Sequence, residues 1–173
     1  MHVIISLIAI VFVWWRGDWQ QWRIYHPTMM YFALGNLTYN LLCTNYLLWE
    51  LNPDFLSNHS LTEMLYTFIV FPATSLMFLS HYPEEGKNKK FFHYVTWISI
   101  YGGVEFIYVL TDRIIYQFGW HLGWSVLFDA IMFPMLRLFH KKPLIAYPIS
   151  ILIAVFWIML FDVPVEIPIE DRK

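Results

Sequence analysis

Residues 119–143 read GWHLGWSVLFDAIMFPMLRLFHKKP, an apolar run with one carboxylate, Asp129, in its middle and a basic cluster closing one end. As an α-helix it is long enough to cross a hydrocarbon core about 30 Å thick. Holding an ionised carboxylate in hydrocarbon costs several kcal/mol or more, so an acid in that position marks a functional site by default. The preceding apolar segment carries a second acid, Glu105. Together the two segments are expected to form a membrane hairpin with both acids inside.

The preceding segment, residues 91–115, has the most informative periodicity. Tyr101, Glu105, Tyr108 and Asp112 recur at i, i+4, i+7 and i+11, which puts all four on one helix face. Gly102 and Gly103 beside them suit close approach of another helix. In the following span His121, Ser125 and Asp129 also share a face, and Pro134 is expected to kink the helix below Asp129. Counting rise per residue from Arg137 puts Asp129 about 12 Å above the inner basic cluster, near the midplane. Tyr101 falls near the same level, so a Tyr101–Asp129 hydrogen bond is expected, with Glu105 and Tyr108 continuing a polar ladder outward. Asp112 and Arg113 at the outer end are expected to pair as ions, and Arg137 to act as an orientation charge.

Four further apolar segments complete the chain. Residues 3–15 are short for a crossing, about 20 Å as a helix, and Trp15, Trp19 and Trp22 follow at helical spacing among polar residues, an interfacial anchor. Residues 27–51 form a span with a polar interior: Asn36 and Asn40 share a face, Thr44 continues it, and Asn45 and Glu50 lie near the end. Membrane amides of this kind either bond a neighbouring helix or line a polar cavity. Ser60 and Glu63 fit a capping box that opens the next span, which runs to residue 80 with a kink at Pro72. That role accounts for Glu63. Residues 144–161 form the last span, before an acidic, Pro-rich tail.

Composition supports this layout. Of 173 residues 58% are hydrophobic and 14% charged, against about 25% charged in a soluble domain. The expected fold is an all-α polytopic bundle of six transmembrane helices, or five if the short first segment does not cross, in a single domain covering 1–173. The loops after spans one, three and five carry Arg16, Arg23, Lys87, Lys89, Lys90, Arg137, Lys141 and Lys142, whereas the opposite side carries Arg113, Arg172 and Lys173. The positive-inside rule therefore places the C-terminus outside, and the N-terminus outside if the first segment crosses. The N-terminal apolar run has no basic residue before Arg16 and is not read as a signal peptide.

Several activities are disfavoured. A net charge of -2 with no basic stripe argues against nucleic acid. The single cysteine, Cys43, allows no intrachain disulfide or thiolate cluster. No lysine falls inside a span, so a retinal Schiff base has no attachment point, and no GxSxG, P-loop or GxGxxG motif points to an enzyme or a cofactor. His26, His81, His93 and His140 are expected at one membrane level near the inner surface; without a ligand spacing they read better as interfacial residues than as metal ligands. Asn36-Leu37-Thr38 and Asn58-His59-Ser60 match the glycosylation pattern, which arises often by chance.

In Trp124, Asp129, Phe133-Pro134, Arg137, His140, Pro143 and Tyr147 the chain resembles an uncharacterised family of small six-segment integral membrane proteins from endospore-forming, Gram-positive bacteria. That resemblance implies the bacterial cytoplasmic membrane and carries no catalytic role. Two functions follow from the polar interior. Either Asp129 and Glu105, with Tyr101, Tyr108, Asn36 and Asn40, serve the passage of a proton, ion or small solute, or the same residues only fix helix packing in a structural, assembly or sensory component. The expected partners are the lipid bilayer and a second copy or another membrane protein. A membrane enzyme acting on lipid ranks third, because two acids without a nucleophile or metal motif make a poor catalytic case.

Overall fold

A computed structural model describes residues 1–53, 56 and 58–172, and the chain in it is mostly helical. Lys173, counted above with the outer basic residues, lies outside the described residues, as do Asp54, Phe55 and Ser57 of the connection after the second span. Six helices follow one another: α1 (His2–Arg16), α2 (Trp22–Leu42), α3 (His59–Ser80), α4 (Lys87–Leu110), α5 (Leu122–Lys141) and α6 (Pro143–Leu160).

Three of these, α3, α5 and α6, are long and apolar enough to cross a membrane, and α1 with α2 makes a fourth candidate bent by 92° at the break between Arg16 and Trp19. The sixfold count of crossings is therefore finer than these helices establish. Helix α4 has the length, 24 residues, but its polar face and basic start dilute its apolar character. Large apolar side chains face outward on α1 and α6, among them Ile8, Val11 and Trp14, and Leu144, Leu152 and Met159. Contiguous apolar surface of this kind suits lipid contact and would be a liability in water.

The all-α expectation needs one correction. Helix α2 stops at Leu42 instead of continuing to residue 51, and the chain then turns through Asn45, whose φ of 61° lies in the left-handed region that Asn tolerates. Residues Trp49–Leu51 (β1) extend and pair antiparallel with Ile114–Tyr116 (β2), Trp49 opposite Tyr116 and Leu51 opposite Ile114. Trp49, Leu51, Ile114, Ile115 and Tyr116 are β-branched, aromatic or apolar, and a ribbon satisfies backbone groups that a frayed helix end would leave open. Hydropathy alone could not distinguish this stretch from helix.

Helix α3 also starts differently. Asn58 caps it, its side-chain oxygen accepting from Leu61 N at 2.9 Å, so the Ser60–Glu63 capping box does not form. The five residues Tyr66–Val70 adopt a π turn just before Pro72, a local widening of the kind that often marks functional positions.

The helices pack as antiparallel neighbours whose register can be read from side-chain contacts. Phe32 of α2 stacks on Phe71 of α3 at 4.4 Å between ring centroids, and Thr74 of α3 meets Tyr101 of α4. Tyr101 in turn lies edge-on to Phe133 of α5 at 5.2 Å, and Phe78 of α3 touches Phe133 at 5.1 Å. Phe32, Phe78, Phe133, Leu79 and Leu136 form a buried aromatic and aliphatic layer across the bundle. At the ribbon end a second core joins Cys43, Leu48, Trp120, Trp157, Phe161 and Val163.

Candidate functional site

The α4–α5 hairpin positions the two acids. Gly102 lets the helices close up: a Cβ there would sit 3.2 Å from Val126 Cγ2, whereas Gly103 faces open space. Only the first glycine serves the approach. One turn along, Glu105 Oε1 accepts from Ser125 Oγ at 2.5 Å and from Tyr116 OH at 2.6 Å, and Ser125 Oγ itself accepts from Trp120 Nε1 at 2.8 Å. Tyr116 comes from the ribbon, so β2 and α5 together hold the Glu105 carboxyl. A carboxylate accepting two hydroxyls has replaced part of its hydration shell.

Asp129 is different. It is 5% exposed, and its Oδ2 is buried without a hydrogen-bond partner. Glu105 and Tyr101 are near enough to interact with it electrostatically, but the expected Tyr101–Asp129 hydrogen bond does not form. Tyr101 OH donates to Thr74 Oγ1 at 2.7 Å instead.

Tyr108 joins another chain of groups toward the ribbon. Its hydroxyl lies 2.5 Å from Tyr66 OH, Tyr66 OH lies 2.8 Å from His2 Nδ1, and His2 Nε2 lies 3.0 Å from the Asn52 carbonyl oxygen. A carbonyl only accepts, so Nε2 carries a proton; in the neutral ring Nδ1 then accepts from Tyr66, which accepts from Tyr108. His2 is fully buried. Sequence reading missed it, because a histidine at the head of a short apolar run has no periodic partner. Asp112 and Arg113 make no ion pair with each other. Asp112 occupies a turn at φ 54° and its carbonyl accepts from Asn52 Nδ2 at 2.8 Å, while the Arg113 carbonyl accepts from Asn52 N at 3.0 Å. The turn backbone, not the side-chain charges, organises this corner.

Asn36 and Asn40 project to α3. Asn36 Nδ2 donates to Glu63 Oε2 at 2.8 Å and to Thr67 Oγ1 at 2.9 Å; Asn40 Nδ2 donates to Asn36 O at 3.0 Å and to Glu63 Oε2 at 3.3 Å. Glu63, 8% exposed, is thus a third interior acid that the capping-box reading had explained away. Its position four residues before Thr67 on an apolar helix was the available signal. Thr44 bonds back to the Asn40 carbonyl and does not extend the cluster to another helix.

At the opposite end Arg137 Nη2 lies 3.1 Å from both Glu84 carboxylate oxygens, with its guanidinium 4.2 Å from the centroid of the Tyr82 ring. The Arg137 charge and hydrogen bond hold the Glu84 carboxyl below its usual range. The four end-of-span histidines do not converge. His93 meets the Phe78 carbonyl, His81 the Met77 carbonyl, and His26 and His140 pack on Trp22 and Tyr25. Among the described residues no three His, Cys, Asp or Glu side chains gather as metal ligands. Two apolar depressions lie along α1, lined by residues such as Ile10, Val13 and Leu76 and by Ile4, Leu7 and Val11, away from the interior acids. No family model, curated protein or solved structure matches this chain.

Proposed function

We propose that this chain is a multi-pass protein of the bacterial cytoplasmic membrane that carries a proton, ion or small solute through an interior site centred on Asp129 and Glu105. Six crossings with the C-terminus outside are part of this reading, supported by the eight-to-three imbalance of basic residues between alternate loops. The bacterial assignment rests on the resemblance of the Trp124 to Tyr147 stretch. The observation that carries the function is the unpartnered Asp129 Oδ2. A carboxyl kept only to join helices would be expected to use its acceptors, since a buried unsatisfied polar atom costs about 1–3 kcal/mol. A carboxyl that takes up and releases a cargo must leave them available.

A non-transporting structural or assembly role is the second reading. The paired Asn36, Asn40, Glu63 and Thr67 favour it, because interhelical amide bonds are a standard way to fix membrane packing. Asp129→Asn separates the two. The variant should match wild type in membrane abundance and thermal stability in detergent while losing proton or cation flux in liposomes. Absence of flux in wild type, with the variant unchanged or merely less stable, would remove the transport reading.

A further inference from the structure

Glu105 and Asp129 come from different helices but face one short stretch of the α4–α5 contact. Toward the ribbon, Ser125 Oγ donates to Glu105 Oε1, and Asp129 follows Ser125 by one turn of α5. Away from the ribbon, Tyr101, one turn before Glu105 on α4, lies edge-on at 5.2 Å to Phe133, one turn past Asp129 on α5. Gly102, facing Val126, keeps the backbones close along this turn. Asp129 therefore stands opposite the single turn of α4 from Tyr101 to Glu105, and the two carboxyls act on each other electrostatically.

The other polar groups of this turn are already engaged. Ser125 Oγ accepts from Trp120 Nε1 and donates to Glu105, Tyr116 OH also donates to Glu105, and Tyr101 OH donates to Thr74. Two further hydroxyls are buried without a hydrogen-bond partner, Thr28 Oγ1 and Ser75 Oγ, and both belong elsewhere in the bundle. Tyr25 stacked on His140 and Tyr31 stacked on Phe139 bracket Thr28 at the level of those residues, about 15 Å along α5 from Asp129. Ser75 follows Phe71 by one turn, and Phe71 stacks on Phe32, so Ser75 turns toward α2. Asp129, 5% exposed, thus presents a buried oxygen without a donor beside a second acid.

From this arrangement we infer that the cargo is the proton and that Glu105 and Asp129 act as one acid pair binding a single proton at a time, which rests on the reading of these carboxyls as the cargo site. A metal cation entering a protein exchanges its hydration shell for several oxygens, and the hydroxyls of this turn are directed to Glu105 and Thr74. A proton needs one oxygen. Two ionised carboxylates a turn apart repel each other strongly in a low-dielectric interior. A proton from water added to a carboxylate oxygen of the pair leaves one carboxyl, one carboxylate and a single negative charge; its loss to water on the opposite side restores the starting pair. Glu105, with two hydroxyl donors, is equipped to stay ionised, and Asp129 to take the proton. Tyr101 of α4 and Tyr116 of β2 are the other titratable groups that act on Asp129. Elsewhere on the packed helices Glu63 of α3 is engaged by Asn36 and Asn40 of α2, His93 of α4 meets the Phe78 carbonyl, Arg137 of α5 is engaged by Glu84, and α6 carries no charged side chain.

The test places the full chain in liposomes and follows proton entry with a trapped pH-sensitive dye, and sodium and potassium entry with tracer ions. Wild type should pass protons at the same rate with sodium, potassium or choline as the accompanying cation, and should pass neither metal ion. Asp129→Asn should lose the proton flux, and Asp129→Glu, which keeps the carboxyl, should retain part of it. Glu105→Gln keeps an acceptor for Ser125 and Tyr116 but removes the neighbouring charge, so the proton leaves Asp129 more easily and the pH of half-maximal flux should fall by about one unit. If Asp129→Asn fails to fold, Asp129→Glu and the Glu105→Gln profile decide the matter. Sodium or potassium flux that depends on Asp129, without proton flux, overturns the proton as cargo and leaves the transport reading standing. Proton flux that Glu105→Gln leaves unchanged in rate and pH profile overturns the pair. A wild type that passes none of the three ions ends the transport reading, and the proton pair with it.

Discussion

Two polar clusters occupy the same bundle and treat their acids in opposite ways. Between α2 and α3, Glu63 accepts from both Asn36 and Asn40 within 3.3 Å, and Asn36 also reaches Thr67. Between α4 and α5, Glu105 takes two hydroxyl donors but its neighbour Asp129 keeps a buried oxygen with none. Removing water from a carboxyl is costly in either place. In the first cluster protein donors offset that cost, and in the second they do so for one acid of two. Buried acidity therefore does not identify a site by itself; the state of its acceptors does.

The largest effect should come from the cluster that looks structural. Glu63→Leu removes the carboxylate to which both amides donate, leaving Asn36 with Thr67 alone and Asn40 with the Asn36 carbonyl alone, and should lower stability by about 2 kcal/mol, read as a fall in Tm in detergent. Replacing all three with leucine should recover part of that loss, because the carboxylate and both amides go together and only the Thr67 hydroxyl loses its donor. A neutral Glu63→Leu would break the comparison at once, since it would mean that this network holds nothing.

Ser125→Ala should follow at about 1 kcal/mol. It removes a donor to Glu105 and the acceptor of Trp120 Nε1 together. Measured beside Tyr116→Phe, which deletes only the other donor, it apportions the support of Glu105 between α5 and the ribbon. Asp129→Asn should lie lower still, within about 0.5 kcal/mol of wild type, because few protein hydrogen bonds are at stake. A loss of about 2 kcal/mol there would place Asp129 with Glu63 as packing glue.

Much of this contrast was legible in the sequence, in proportion to how local its causes are. Helical spacing placed Tyr101, Glu105 and Tyr108 on one face and Asn36 with Asn40 on another, since periodicity needs only the backbone repeat. Partners were harder. Tyr101 chose Thr74 over Asp129, and Tyr108 chose Tyr66 beside His2, because these hydrogen-bond partners belong to α3 and α1 and spacing within one helix does not report on another. Glu63 was lost to a competing local explanation: the four-residue capping box Ser60–Glu63 fitted it, but Asn58 provides the cap. The end of α2 failed for a different reason. Leu47 to Leu51 is apolar enough for either a span or a strand, and only pairing with Ile114–Tyr116 decides between them. The two silent hydroxyls, Thr28 and Ser75, had no sequence signal, since nothing in a chain marks a serine whose hydroxyl bonds nothing.

The smallest expected effect calibrates the comparison with an acid exposed at the end of the bundle. Glu84 meets Arg137 and Lys141 with its side chain 69% exposed, where water screens the attraction and surface pairs contribute little. Because Arg137 depresses its carboxyl, the folded state favours the ionised form. Any stability from that pair is present above the unfolded carboxyl pKa of about 4.3 and is lost as pH falls through the lower folded value. Wild type and Glu84→Gln should therefore differ slightly in Tm at pH 7 and converge as pH drops below about 4. A difference as large as that of Glu63→Leu, or one that grows on acidification, would show that exposure is not what separates these carboxyls. The ranking of interior acids by their unfilled acceptors would then lose its reference point.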